Sequence, residues 1–324
     1  PFQHKIICIV GPTASGKSDL AQEIALALDG EIVSADSMQI YRGMDIGTGK
    51  VTSDQQRVSH FGIDLVDPGI PYSAALYQEY ARSAFSAISN KGKRIVLVGG
   101  TGLYIRAAID DYSFPNGDNV CNPVRDKYEK YAEEQGAQAL WNLLNEQDPL
   151  SAQVIHPHNV RRVVRAFELI EEGESYARQK ARLQFIPQLY PATFIGLKVE
   201  PEVLRERINQ RVDGMMAAGL VNEVKSLLNR GFREGLTASQ AIGYKEIVAA
   251  LDGNCSMADA VEEIKTSSRR YAKRQRTWFG NAWRIADAHR ASRFKLATCR
   301  NTRHSNRTRG IAAADNTGNA PDVA

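Results

Sequence analysis

Cysteine is scarce in this chain of 324 residues: Cys8, Cys121, Cys255 and Cys299 lie far apart and form no C-x-x-C pair. That spacing offers neither a zinc ribbon nor a disulfide framework and fits free thiols in a reducing compartment, so a cytoplasmic protein is expected. No apolar run is long enough to cross a membrane, and no secretory signal is read at the start, where the missing initiator Met is taken as trimming. An excess of one charge sign is also lacking, because 41 Lys and Arg against 37 Asp and Glu leave a formal net charge of only +4. A balance that mild proves no nucleic-acid partner. Acids are missing locally, however, between Glu263 and Trp278, where Lys265, Arg269, Arg270, Lys273, Arg274 and Arg276 follow one another. A charge run is commonly a solvated face, but cations without compensating carboxylates favour a polyanion. Tyr271, Trp278 and Phe279 are interleaved with them, either as core on the opposite face or as platforms for unstacked bases, with core favoured for Trp278 and Phe279.

What is present is organised around Gly11-Pro12-Thr13-Ala14-Ser15-Gly16-Lys17-Ser18, a G-x-x-x-x-G-K-S run. It follows the apolar stretch Ile6 to Val10, which reads as a buried parallel strand. It precedes a helix over 19–28, in which Leu20, Ile24 and Leu28 recur at helical spacing. Strand, glycine-rich turn and helix together make a P-loop: backbone N–H groups and the helix N-terminus face a phosphate, Lys17 adds a full charge, and Ser18 is suited to hold Mg²⁺. A second strand, Glu31 to Ala35, ends in Asp36, and ligands in open α/β sheets bind at the C-terminal strand edge. Asp36 is therefore expected to share a crevice with Lys17 while also serving as an N-cap. The next segment, Ser37 to Thr48, reads as a functional loop with one helical turn.

Further elements are a short strand over 63–66, a helix over 73–88 with Ala74, Tyr77, Ala81, Ala84, Phe85 and Ile88 on its buried stripe, and a strand over 94–98. That last strand ends in Gly99-Gly100-Thr101-Gly102, where an ATPase would place an Asp to organise Mg²⁺ and water. Thr101 is expected either to contact phosphate through its hydroxyl or to cap the following helix. The resulting β-α-β order predicts an α/β fold, a parallel sheet with helices on both faces. Over 111–190 no strand signal appears. Helices are expected over 124–135, around 137–145 and over 159–172, the last carrying Arg161, Arg162 and Arg165 beside an apolar face of Val160, Val163, Val164, Phe167 and Leu169. The sheet resumes at 193–197. A helix over 201–212 then puts Arg207 and Arg211 on one face, as solvated charges or as phosphate-gripping guanidinium groups. More helices are expected over 219–228, 239–251 and 257–278, the second interrupted by the small, aromatic, basic step Gly243-Tyr244-Lys245. The organisation predicted is a discontinuous P-loop core over 1–110 and 191–290, a helical insertion over 111–190, and a disordered tail over 291–324.

Several of these stretches together resemble the bacterial tRNA dimethylallyltransferase (IPP transferase) family. They are the P-loop run, Ser34-Ala35-Asp36-Ser37-Met38-Gln39 with Tyr41 to Thr48, Val98 to Tyr104, Ala241-Ile242-Gly243-Tyr244, and Ala272 to Phe279, in order over about residues 5 to 280. The sequence departs from the family pattern at His60-Phe61-Gly62, over 280–290, and in the tail. The resemblance implies transfer of a dimethylallyl group from dimethylallyl diphosphate to N6 of the adenine beside the tRNA anticodon, with the P-loop gripping diphosphate rather than ATP. It implies a catalytic set of Asp36 as base near N6, Thr101 at the bridging oxygen, and Arg211 and Lys17 on the phosphates, with Mg²⁺ on Ser18. It further implies tRNA contacts from Asp36, Ser37, Met38, Gln39, Thr101, Arg125, Arg161, Arg162, Val163, Val164, Arg165, Gln240, Ala241, Ile242, Gly243, Tyr244 and Lys245, the insertion clamping the anticodon stem-loop from the far side. No obligatory protein partner and no membrane are inferred. A small-molecule or nucleotide kinase is the main alternative, sharing the P-loop and the paired arginines. A non-catalytic GTPase-like RNA switch is a lesser one, since no Asn-Lys-x-Asp motif occurs.

Overall fold

A computed structural model describes residues 5–114, 122–183, 186–290 and 294–298, the backbone alone over 281–290 and 294–298. Its centre is a sheet of six parallel strands, β1 (Ile6–Val10), β2 (Gly30–Ala35), β3 (His60–Phe61), β4 (Arg94–Gly99), β5 (Ala192–Lys198) and β6 (Phe294–Thr298), in the order β3-β2-β4-β1-β5-β6. Alternate side chains of the central strands feed two cores, as the period of two requires. Ile9, Ile32, Val96 and Val98 face α1 (Lys17–Ala27), which packs Ala21 and Ala25 against them. Cys8, Val10, Val33, Ala35 and Leu97 face the other way, toward α2 (Ala74–Asn90) and α3 (Gly102–Ile109). Tyr77, Ala81, Ala84, Phe85 and Ile88 form the buried stripe of α2, and Ser73 caps it by accepting from the Leu76 N–H at 3.2 Å.

Register matters more to function than strand count. Val10 pairs with Gly99, and Gly99 with Ala35, so β1, β4 and β2 end level with one another. The residues that follow, Gly11, Gly100 and Asp36, therefore start from one sheet edge. The approach is close enough to require glycine: a Cβ at Gly99 would collide with the Ala35 carbonyl, which also accepts from the Thr101 N–H at 3.2 Å.

Between β4 and β5 the chain makes α4 (Pro123–Gln135), α5 (Ala137–Gln147), α6 (Pro149–Val154), α7 (Val160–Glu171) and α8 (Tyr176–Leu183). These helices hold a core of their own, built on Leu140, Leu144, Val163, Val164 and a stacked Tyr128–Phe167 pair with centroids 3.9 Å apart. After β5 come α9 (Pro201–Ala217), α10 (Leu220–Leu228), α11 (Tyr244–Leu251) and α12 (Met257–Arg290).

Several expectations are corrected. The short strand is at His60–Phe61, not 63–66, because Gly62 turns the chain at φ 79° against the Ser34 carbonyl. Leu65 and Val66 instead donate to the Ile40 carbonyl at 2.7 and 3.1 Å. Leu28 is exposed beyond the end of α1, whose sheet-facing residues are the small Ala21 and Ala25. Over 239–251 the expected interruption falls at Gly243, φ 95°, and the α-helix is confined to α11. Phe294–Thr298 is a strand on the free edge of β5 within the stretch expected to be a tail; the rest of that stretch, 291–293 and 299–324, lies outside the described residues. Phe279 is buried as expected, whereas Trp278 is 44% exposed. The indole lies across Gly102, leaving no space there for a Cβ, and so lines the outside of the α3 start.

Candidate active site

The glycine-rich turn has the backbone needed to cradle an anion. Ala14 (φ 60°) and Gly16 (φ 85°) are left-handed, and α1 begins at Lys17, so successive amides point inward at a helix N-terminus. The Ser15 hydroxyl is buried inside the turn with no hydrogen-bond partner, an arrangement that costs free energy until an acceptor arrives. The Thr13 N–H is already used: it donates to Gln275 Oε1 at 2.8 Å, while Gln275 Nε2 donates to the Gly100 carbonyl at 3.1 Å. Gln275 is 4% exposed. It thus ties the P-loop to the turn after β4 from α12.

Asp36 accepts from the Met38 N–H through Oδ1 at 2.9 Å, so it caps the turn that follows β2 while its carboxylate borders the crevice. Thr101 occupies the position before α3 but does not cap it through its side chain. Its Oγ1 accepts instead from the Ser37 N–H at 3.2 Å and donates to Ser37 Oγ at 3.4 Å, joining the ends of β4 and β2. Arg211 reaches in from α9: Nη1 donates to Thr13 Oγ1 at 3.1 Å and Nη2 to the Thr48 carbonyl at 3.0 Å. Arg207 lies one turn earlier on that helix, half-buried, and Arg211 alone of the two borders the crevice.

These groups surround a crevice of about 510 Å³, bordered by Thr13, Asp36, Ser37, Arg211, Tyr271 and Arg274. Met38, Gln240, Ala241, Ile242, Gly243 and Lys245 border it too, which brings two separate sequence-predicted stretches to one mouth. Thr101 and Lys17 sit behind this wall, Thr101 through its bonds to Ser37 and Lys17 with its Nζ on the Pro12 carbonyl at 3.1 Å. Burial lowers the Lys17 pKa to about 8, opposed by the nearby Asp36 charge and reinforced by that of Arg211. In the free protein the ammonium is therefore charged below pH 8 and lost above it. Affinity for inorganic diphosphate is expected to fall between about pH 7.5 and 9.5, and a Lys17→Arg variant, charged throughout, to lose that dependence. Calorimetric titration across pH measures both; a flat profile in the unsubstituted protein would contradict this reading of Lys17.

The remaining sequence-predicted residues are placed elsewhere. Arg125 and Arg165 hold the two oxygens of the fully buried Glu168, Arg125 Nε to Oε1 at 2.8 Å and Arg165 Nη1 to Oε2 at 2.7 Å. Both border a cleft of about 870 Å³ between the helical insertion and the segment around Tyr72. Arg161 and Arg162 are exposed on the outer face of α7. Val163 and Val164 are buried in the insertion core, on the apolar face of α7. Tyr244 is likewise buried, its hydroxyl donating to Glu223 Oε1 at 2.6 Å, and Ala241 and Gly243 present little but backbone.

Sequence reasoning missed the roles of Gln275 and Glu223. Gln275 had a signal, since it sits at helical spacing between Ala272 and Phe279, where an apolar side chain belongs. Glu223 had none: its partners Asp45, Ile46 and Gly47 lie 176 to 178 residues away.

Comparison with known proteins places this geometry. The family model described as IPP transferase matches residues 39–282, and one described as isopentenyl transferase matches residues 4–70. The chain is similar to the tRNA dimethylallyltransferase of Bacillus subtilis, 46% identical over 285 residues covering 87% of this chain and 90% of the relative. It is 48% identical to that of Geobacillus thermodenitrificans over 280 residues, 86% of this chain and 88% of the relative. Among solved structures, the full-length tRNA isopentenylpyrophosphate transferase of Bacillus halodurans superposes with TM-score 0.63 at 40% identity, covering 91% of this chain and 90% of that one. A eukaryotic dimethylallyltransferase captured acting on tRNA gives 0.73 at 28%, covering 91% and 74%.

Proposed function

The chain belongs to the IPP transferase family, and from that premise we propose that it transfers the dimethylallyl group of dimethylallyl diphosphate to N6 of the adenine at tRNA position 37, 3′-adjacent to the anticodon. The observation that carries this reading is the level ending of β1, β2 and β4, which gathers an anion cradle, Asp36 and Thr101 at one edge. The relatives named above give a kinase reading no support, and it leaves the cationic run of α12 without a task.

The chemistry assigns a role to each group. The N6 lone pair of adenine is delocalised into the ring, so the nitrogen is a weak nucleophile. As N6 attacks the allylic carbon, the C–O bond to diphosphate breaks and N6 becomes acidic. Asp36 takes the proton released there. The departing diphosphate gathers negative charge, which Lys17, Arg211 and the P-loop amides stabilise more in the transition state than in the ground state. Thr101 is the hydroxyl donor assigned to the bridging oxygen: it keeps the bond it accepts from the Ser37 N–H and turns its proton from Ser37 Oγ to the donor. An adenine inside the stacked anticodon loop must be extruded to enter the crevice.

Mg²⁺ fits the residues present. Among the described residues no three His, Cys, Asp or Glu side chains gather as a metal cage, and Mg²⁺ in phosphate sites is held mainly by water and phosphate oxygens. The Ser18 hydroxyl at the start of α1 would be the protein ligand, and a bound ion would supply positive charge toward the leaving group. A cytoplasmic location accords with a tRNA substrate and with the free thiols of Cys8 and Cys255. No helix among the described residues is long and apolar enough to cross a membrane.

Arg274 tests the RNA side. It is exposed at the crevice mouth, 5.6 Å from the Tyr271 ring centroid, and no acid pairs with it among the described residues. Arg274→Ala is expected to weaken tRNA binding about tenfold near 0.1 M salt and to reduce the slope of log K against log salt by about one. An unchanged slope would argue against a phosphate contact. The activity itself is tested by incubating labelled dimethylallyl diphosphate with unmodified tRNA and digesting to nucleosides. Label in N6-dimethylallyladenosine is expected; label that stays in the donor while ATP is consumed would favour a kinase.

A further inference from the structure

The loop from Asp45 to Lys50 is pinned at both ends and carries the acceptor that holds Arg211 at its centre. At one end the Glu223 carboxylate, projecting from α10, receives four donors. Asp45 N–H reaches Oε2 at 3.1 Å and Ile46 N–H reaches it at 2.8 Å; Gly47 N–H reaches Oε1 at 3.2 Å, and the Tyr244 hydroxyl reaches Oε1 at 2.6 Å. Three consecutive backbone amides around one anion form a nest, which fixes both loop and carboxylate. At the other end the buried Lys50 ammonium contacts Asp45 Oδ1 at 2.5 Å, Asp64 Oδ1 at 2.6 Å and the Tyr41 carbonyl at 2.9 Å. Between them, the Thr48 carbonyl accepts from Arg211 Nη2 at 3.0 Å. Gly49, at φ 60°, lies against the same guanidinium so closely that a Cβ would collide with Nη2.

Arg211 is otherwise a long side chain with large rotamer freedom. Its fork can grip a diphosphate in two places only if its plane is set beforehand. The loop sets it on one side and Thr13 of the P-loop on the other. We propose that Glu223 is a positioning residue for the donor site: it holds the 45–49 loop against Arg211 and so orients the guanidinium for the diphosphate. The inference rests on the proposed diphosphate role of the crevice. It differs from a general structural role in one respect: its effect on anion binding passes through Arg211.

A double-mutant cycle reads that difference. The probe is inorganic diphosphate, titrated calorimetrically into the full-length wild type, Glu223→Gln, Arg211→Lys and the double variant, with thermal unfolding followed in parallel. Glutamine keeps the size but offers one acceptor oxygen where four donors converge on two. Glu223→Gln is expected to weaken diphosphate binding about tenfold in the wild-type background and less than about twofold in the Arg211→Lys background, where the fork no longer exists. Equal effects in the two backgrounds, or unchanged affinity in Glu223→Gln, would overturn the inference. Gly49→Ala displaces Arg211 directly with Glu223 intact and serves even if Glu223→Gln does not fold. It is expected to lose about tenfold, and unchanged affinity would equally overturn the inference. Failure of the wild type itself to bind diphosphate would remove the proposed function as well, whereas wild-type binding with equal losses in both backgrounds removes only the role of Glu223.

Discussion

Replacing Asp36 by Asn is expected to lower the turnover of dimethylallyl transfer by about 10² to 10⁴ while leaving tRNA affinity within about twofold. Asparagine is the informative substitution because it retains the Oδ1 that accepts from the Met38 N–H at 2.9 Å. Alanine would remove that turn as well as the carboxylate and so would mix a local folding effect with the chemical one. What asparagine cannot do is accept the N6 proton. Single-turnover measurements with saturating donor and tRNA isolate that step from binding. Near-normal turnover would remove Asp36 from its assigned role.

Lys17→Ala is expected to have the second large effect, a fall in kcat/KM of about a thousandfold, equivalent to about 4 kcal/mol of transition-state stabilisation. Lys17 is the one full positive charge inside the phosphate turn, its Nζ already oriented by the Pro12 carbonyl at 3.1 Å. Low effective dielectric makes such a charge worth more there than in water. Arg211 remains in the variant, so binding is reduced rather than abolished. The greater part of the loss should appear in kcat, because charge accumulates on the diphosphate only as the C–O bond breaks. A loss confined to KM would mean that Lys17 holds ground state and transition state equally.

The sheet and its active edge were legible because they are written in local patterns. Short apolar runs bounded by glycine gave β1, β2 and β4, and the P-loop run fixed which edge mattered. The buried stripe of α2, from Tyr77 to Ile88, followed from spacing alone. Errors fell where tertiary packing decides. Nothing in His60-Phe61-Gly62 announces that Gly62 must turn beneath the Ser34 carbonyl and end β3 early. Trp278 looked like core by its chemistry, but its ring covers Gly102 on the outside. Sequence could not show that Arg125 and Arg165 both close on one buried Glu168. The apolar spacing of Val163 and Val164 did point to the core in which both lie. The Gln275 bridge and the Glu223 nest join segments more than 170 residues apart, beyond any local pattern.

One measurement bears on the whole account: a structure of the enzyme with a thiolodiphosphate analogue of the donor and an anticodon stem-loop carrying unmodified adenine. It should show the diphosphate on the Gly11 to Ser18 turn and the extruded adenine in the crevice, its N6 within about 3 Å of an Asp36 oxygen. A diphosphate seated instead in the separate basic groove of about 680 Å³ between α9 and α12, among Arg205, Arg269, Lys273 and Arg276, or an adenine N6 turned away from Asp36, would contradict it.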